Sequence, residues 1–282
     1  MTTEIYYFSG TGNSLHVARE LGRRLPAVTL LPIVGALQVQ DLVSTADRVG
    51  VVFPIQALTL PATVERFLSQ VNLSSADYVF FVATRICSAR VFSDGARILA
   101  RRGASMDASF SVEMVLNYTP LFSVPPPEEL AAMEASLQED LDRIANMVRD
   151  KTPIRQRDGA LLFLLAHTLY PLITAWYRRA RFPVLANSFY ADATCTACGL
   201  CEKVCLADRI RVTEGGPEWH ADTECALCFA CLHHCPAEAI QIARTSSPSR
   251  GRYRHPDVGV ADIAQQKTWP KRGDARWAGR GE

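Results

Sequence analysis

Over residues 1–152, short runs of β-branched and aromatic residues alternate with longer stretches whose apolar positions recur every three or four residues. Such alternation predicts a parallel sheet covered by helices on both faces. Strands are expected at Glu4–Phe8, Val28–Leu31, Arg48–Phe53, Tyr78–Ala83 and Ser109–Glu113, and helices at Gly12–Leu25, Ala62–Gln70, Ser93–Arg102 and Glu128–Arg149. In the last of these, Leu130, Met133, Leu137, Leu141, Ile144 and Val148 make one apolar stripe. Pro125–Pro127 followed by Glu128 and Glu129 mark its start.

Five strands in this arrangement fit a flavodoxin-like, doubly wound α/β sheet of order 2-1-3-4-5, whose ligand crevice lies at the carboxyl ends of strands one and three. The pattern changes after residue 152. An apolar stretch at 153–187 reads as a helical linker, 188–243 as a small α+β domain rich in cysteine, and 244–282 as a basic tail. A chain of 282 residues, 48% hydrophobic and 21% charged, is ordinarily globular, which excludes a disordered or disulfide-scaffold reading. A net charge of +1 supplies no field to gather nucleic acid, so no nucleic-acid partner is expected.

Eight of the nine cysteines form two runs of CxxCxxCxxxC: Cys195, Cys198, Cys201, Cys205 and then Cys225, Cys228, Cys231, Cys235. This is the spacing of a bacterial-type ferredoxin, in which three close thiolates hold one cubane and the fourth cysteine reaches the other cluster. One [4Fe-4S] cluster is therefore expected on Cys195, Cys198, Cys201 and Cys235, and the second on Cys225, Cys228, Cys231 and Cys205. The thirty-residue repeat extends to the framework, with Ala191 and Asp192 recurring as Ala221 and Asp222, and Ile210 as Ile240. Each half is expected to run strand, cluster loop, helical turn, strand, around a shared core. Zinc is the alternative, but it needs two pairs of ligands and has no use for a third cysteine at the same spacing. Leu206 stands where a proline follows the fourth cysteine in the pattern, and His233 and His234 are expected as exposed loop residues.

The first strand delivers Ser9, Gly10, Thr11, Gly12, Asn13 and Ser14 into the crevice. A loop rich in glycine and hydroxyls between strand and helix turns N–H and O–H groups toward a phosphate. It has no GxxxxGK[ST], and Leu15 occupies the third glycine of GxGxxG, so a nucleotide P-loop and a dinucleotide fingerprint are both excluded. What remains is a monophosphate cradle of the kind that holds FMN. Cys87 and Arg85 lie on a third loop beside the same crevice, where a thiol and a cation could act in redox chemistry. The bland reading is a small loop residue and a solvated cation.

The segments FSGTGNS at Phe8–Ser14, FPIQALTLPATVERFL at Phe53–Leu68, MVLNY at Met114–Tyr118 and NSFYADATC leading into the cysteine runs together resemble EFR1-type flavodoxin-ferredoxin fusion proteins over roughly Thr3 to Ala243. The resemblance implies an FMN module followed by a two-cluster ferredoxin module. It implies that Ser9, Thr11, Gly12, Asn13 and Ser14 hold the FMN phosphate. It places Pro54, Ile55, Gln56, Ala57 and Leu58 on one side of the flavin ring, and Thr84, Arg85, Ile86, Cys87 and Ser88 on the other. The chain departs from the family's FPVYxGGLP loop, with Gln56 at the tyrosine and Leu58 and Thr59 at the glycines, and Val115 replaces a proline of MPxNY.

Residues 160–177 contain no Asp, Glu, Lys or Arg and just reach the length of a membrane span, but basic residues flank both ends and a span would separate the two domains. A helix buried between the domains is expected, with a membrane-surface or partner-binding helix as the alternative. The tail from Arg244 carries nine Lys or Arg against four Asp or Glu, a net +5, so the residues before it carry −4 of the chain's +1. Its Ser, Pro, Gly and Arg content predicts poor order. The start MTTEIYYFSG lacks the features of a secretory signal, and a cytoplasmic protein is expected. The chain reads as an electron carrier between two clusters, FMN and a redox protein partner such as a ferredoxin, a reductase or a client enzyme. The alternative is an FMN-dependent reductase acting on a small molecule with the clusters as feed, and a redox sensor or scaffold comes third.

Overall fold

The computed structural model describes residues 1–56, 58–85, 90–155, 160–245 and 247–270. Along the first half run β1 (Thr3–Tyr7), α1 (Asn13–Arg24), β2 (Val28–Pro32), α2 (Ile33–Ala36), β3 (Arg48–Pro54), α3 (Ala62–Gln70), β4 (Tyr78–Arg85), α4 (Val91–Arg101), β5 (Ala108–Glu113) and α5 (Pro127–Arg149). The strands form a wholly parallel sheet of order β2-β1-β3-β4-β5, the predicted order. A two-residue β6 (Ile154–Arg155) adds a sixth strand against β5. It lies in the stretch read as linker, because two residues are too few to show a period.

Central parallel strands are covered on both faces, so they need near-continuous apolar runs rather than alternation. β3 meets this with Val49, Val51, Val52 and Phe53 all inaccessible, beside Phe80 and Phe81 of β4. Each such fully buried side chain contributes roughly 1.5–3 kcal/mol. Helix α5 buries Leu137, Leu141, Ile144, Ala145 and Val148, following the predicted stripe. Its last carbonyls are satisfied by buried Arg48, whose guanidinium donates to Val148 O at 3.1 Å and Arg149 O at 2.8 Å.

The second half runs α6 (Ala160–Trp176), a π-helical turn at Tyr177–Arg181, α7 (Phe182–Ala186), β7 (Phe189–Ala191), α8 (Leu200–Val204), β8 (Ile210–Thr213), β9 (Gly216–Trp219), α9 (Ala230–His233) and β10 (Ile240–Ile242). The repeat is visible as β7-α8-β8 followed by β9-α9-β10. The outer strands β7 and β10 pair antiparallel, as do the inner strands β8 and β9. Even the backbone repeats: left-handed φ values occur at Ala197 and Gly199 and recur thirty residues on at Leu227 and Phe229, as Asp208 recurs at Glu238. Phe189, Ile210, Leu232, Ile240 and Ile242 form the small shared core.

Two expectations are corrected. Helix α6 forms, but it is not buried between domains: Leu164, Leu169, Leu172 and Trp176 are exposed. The domains already meet directly, with Val204, Leu206 and Ala230 joining the core of the large sheet. Among the described residues no helix is long and apolar enough to cross a membrane.

The tail is not poorly ordered over its described part. After a 3-10 turn at Ser247–Arg250 it crosses the first domain and ends in α10 (Val260–Gln265), burying Tyr253, His255, Val258, Ile263 and Gln266. Its polar composition hides these few anchors, which are spaced to reach a surface that the sheet has already built. Residues 271–282 lie outside the described residues. Gln266 is inaccessible and clamps one residue of the first loop twice, with Ser9 N–H donating to its Oε1 at 3.0 Å and its Nε2 donating to Ser9 O at 2.7 Å. Gln266→Leu should strand both backbone groups, cost about 1–3 kcal/mol and lower the thermal midpoint. Hydrogen exchange at the Ser9 amide should accelerate in step.

Candidate functional site

At the carboxyl ends of β1, β3, β4 and β5 lies a cavity of about 420 Å3. Ser9, Gly10, Thr11, Asn13 and Ser14 form one end of it, as the loop chemistry predicts. Pro54, Ile55, Gln56, Leu58 and Thr84 form the side walls. Gly12 turns away: it opens α1 with φ +104°, and its α-carbon faces the tail, where an added Cβ would lie 2.7 Å from His255 Cβ. Ala57, Ile86, Cys87 and Ser88 lie outside the described residues, as does the side chain of Arg85.

The hydroxyl loop is internally braced. Ser14 Oγ and Thr84 Oγ1 are 2.9 Å apart, Asn13 Nδ2 donates to Val115 O at 3.1 Å, and Asn117 Nδ2 donates to Thr11 Oγ1. Asn13 Oδ1 is buried and has no hydrogen-bond partner among the described residues. The Ser9 amide is already taken by Gln266, which leaves the Ser9 hydroxyl and not its N–H for a ligand. The second loop keeps a glycine-like path without glycine, because Leu58 sits at φ +65° and Gln56 and Thr59 bridge each other. A left-handed leucine costs about 1–3 kcal/mol, and Arg178 stabilises it by bonding Thr59 Oγ1 at 3.0 Å, Leu60 O at 2.8 Å and the Glu65 carboxylate at 2.6 Å.

The remaining walls come from residues that the site prediction did not include. Met114–Tyr118 lie along the floor, and MVLNY was the signal that could have found them. Ile173, Tyr177, Phe182 and Leu185 of the helical segment close the top, and only tertiary structure brings them there. Tyr118 and Tyr177 share a hydroxyl contact of 2.7 Å, and burial raises the Tyr118 phenol well above its ordinary pKa.

The cysteine loops complete the picture. Leu227, Cys228 and Phe229 line the same cavity as the hydroxyl loop, and Phe229 meets Tyr118 edge to face at 5.5 Å. Gln56 Nε2 donates to Ala226 O at 3.2 Å and Leu227 O at 3.3 Å, tying the two domains together. Within the small domain the two cysteine runs lie side by side, with Cys201 in electrostatic reach of Cys231. Cys195, Cys198, Cys201 and Cys235 surround one small void. Cys205, Cys225, Cys228 and Cys231 lie within electrostatic reach of one another.

Burial raises the Cys201 thiol to about 11 and the Cys228 thiol to about 12, and lifts Cys225 and Cys231 as well. Thiolates at such depth need cationic compensation, which soft metal centres supply. Alternating left-handed residues turn backbone N–H groups inward. Arg209 N–H reaches Cys205 Sγ at 3.3 Å and Leu227 N–H reaches Cys225 Sγ at 3.4 Å.

His233 and His234 are corrected from exposed to buried. His233 Nε2 contacts Asn117 O at 2.9 Å while its Nδ1 accepts from Tyr253 N–H at 3.1 Å, which fixes a neutral ring that burial pushes down to about 4. They are buried because α9 is pressed between the MVLNY segment and the tail, a contact that sequence spacing does not reveal.

Residues 194–240 match the family model described as a 4Fe-4S dicluster domain, which supports iron-sulfur clusters in this segment. No curated protein matches the chain. Among solved structures, a flavodoxin from the domain Archaea is 14% identical, with 52% of this chain and 99% of that chain covered at a TM-score of 0.33. An azoreductase from Bacillus anthracis is 12% identical, covering 52% of this chain and 99% of its own at 0.34. A rubredoxin:oxygen oxidoreductase from Desulfovibrio gigas is 16% identical, covering 51% of this chain and 36% of its own at 0.30. The parallel strand order of the sheet itself defines the flavodoxin-like fold.

The two loops approach so closely at Gly10 that a Cβ there would lie 2.0 Å from Cys228 O. Gly10→Ala should therefore push the cysteine loop off the sheet. Hydrogen-exchange protection should fall across residues 226–230 and persist in the central strands.

Proposed function

We propose that this chain is an iron-sulfur flavoprotein that moves electrons between two [4Fe-4S] clusters and FMN, serving a redox protein as donor or acceptor. The observation that carries this reading is the shared cavity, in which Cys228 and the hydroxyl loop face the same space. Ser9, Thr11 and Ser14 would hold the phosphate by their hydroxyls, and Asn13 would brace that end from the side by donating to Val115 O. Ile55, Gln56, Leu58 and Thr84 would bound the ring. Cys195, Cys198, Cys201 and Cys235 would hold one cluster, and Cys225, Cys228, Cys231 and Cys205 the other. When bound, the clusters supply single-electron exchange and the flavin accommodates one or two electrons, which couples the two kinds of chemistry.

The chain's own residues set the conditions for that exchange. N–H donors from Arg209 and Leu227 favour added negative charge on the sulfurs and so tune the potential. Gln56 fixes the distance between the cluster loop and the crevice. Tyr118, Phe229 and Tyr177 would give the space between them an aromatic lining.

A second reading, a reductase acting directly on a small molecule, is favoured by the roof. Ile173, Phe182, Leu121 and Phe122 give the partly open cavity an apolar lining, which suits a small substrate.

An anaerobic absorption spectrum with iron, sulfide and flavin quantified per chain tests the first reading. About eight irons and one FMN are expected, and Cys228→Ser should reduce iron to about four. Eight irons without flavin would remove FMN from the proposal. For the second reading, Ile173→Trp should slow reduction of a small quinone and leave transfer to a ferredoxin unchanged. Equal rates for wild type and variant with the quinone count against it.

A further inference from the structure

On the far side of the hydroxyl loop from the cavity, two histidines stack. His16 of α1 and His255 of the tail have ring centroids 3.8 Å apart at 23°, and both are almost wholly buried. Neither belongs to the cavity. They are brought together by the tail, with His255 N–H donating to Thr11 O at 2.8 Å.

The polar neighbours of the pair are arranged by edge. On one edge stands Glu134 of α5, with Oε1 3.1 Å from His16 Nε2 and Oε2 3.7 Å from His255 Nε2. An ionised carboxylate only accepts, so each oxygen draws the proton of its ring to Nε2. Both lone pairs then lie on the Nδ1 edge. There the lone pair of His255 Nδ1 faces Asp257 N–H at 3.3 Å, a long contact that a bound ion would replace. There too His16 Nδ1 lies 3.4 Å from Asp257 Oδ2. A lone pair facing an anionic oxygen is repulsive unless a positive charge stands between them. Ligand atoms of His16, His255 and Asp257 all lie within 4.8 Å of one another, the spacing that a single ion bridges.

We propose that His16 Nδ1, His255 Nδ1 and the Asp257 carboxylate bind one divalent transition-metal ion, Zn2+ being the best match to two imidazoles and a carboxylate. Glu134 is the supporting group: a carboxylate that receives the second N–H of a metal-bound histidine fixes its tautomer and raises its basicity. Three protein ligands leave a fourth position for water on the side of exposed Asp257. The ion would join α1 to the tail directly behind Thr11 and Gly12, and so lock the hydroxyl loop from the rear. The inference does not depend on the flavin or on the identity of the redox partner.

The test uses the holoprotein with its clusters intact, dialysed against EDTA and then equilibrated with Zn2+, with zinc and iron measured together by mass spectrometry. Wild type should take up about one zinc per chain beyond that held by Asp257→Ala or His255→Gln, at unchanged iron. Asp257 is 67% exposed, so its variant retains the fold. Zinc should raise the thermal midpoint of wild type and leave that of the variants unmoved. Glu134→Gln should keep the site but weaken zinc binding about 10- to 100-fold. Equal zinc in wild type and Asp257→Ala overturns the proposal. In that case a proton on His16 reconciles the two groups instead.

Discussion

The carbonyl of Cys228 rests against the α-carbon of Gly10 so closely that a single methyl would lie 2.0 Å from it. A β-carbon on residue 10 would hold the two loops apart, and a polar loop left between them would admit water. With glycine there, the cysteine loop becomes a wall of the crevice, Gln56 can reach the Ala226 and Leu227 carbonyls, and Phe229 can pack on Tyr118. The contact also carries the hydrophobic core across the junction, since Leu206 and Ala230 are buried with the sheet rather than with their own small domain. Leu206 stands where the ferredoxin pattern has proline. That departure gives an apolar side chain to the junction.

The hydroxyl loop is the other partner in this contact, and it is held from behind. Gln266 satisfies both backbone groups of Ser9, His255 N–H takes the carbonyl of Thr11, and His255 and Val258 fill the space behind Gly12. Trp269 continues the attachment by stacking over Tyr6. A glycine-rich loop has high conformational freedom in isolation. Here the tail removes that freedom by bonding the loop's backbone from behind, so the loop is held in one conformation.

The altered second loop follows similar logic. Leu58 takes a conformation that glycine adopts freely, and the strain is offset by Arg178, which ties the loop to the π-helical turn through four contacts. The same turn places Tyr177 over the cavity. The loop therefore stands as one side wall of the cavity, with the apolar outer face of α6 left exposed above it.

The sequence by itself determined the elements whose signal is periodic or repeated. The five-stranded parallel order follows from alternating runs, α5 from its apolar stripe, and the two halves of the small domain from eight cysteines thirty residues apart in matched pairs. The loop from Ser9 to Ser14 was legible from its hydroxyls and its place after a strand. Tertiary structure alone decided where non-periodic segments go. The burial of His233 and His234, the outward face of α6 and the docking of the tail each depend on one or two side chains meeting a distant surface, and such contacts leave no repeat along the chain. Composition misjudged the tail because a handful of anchors, Tyr253, His255, Val258, Ile263 and Gln266, outweigh the polar residues around them once a complementary surface exists. Local pattern encodes which residues prefer burial. The partners against which they are buried arise only when the whole chain is folded.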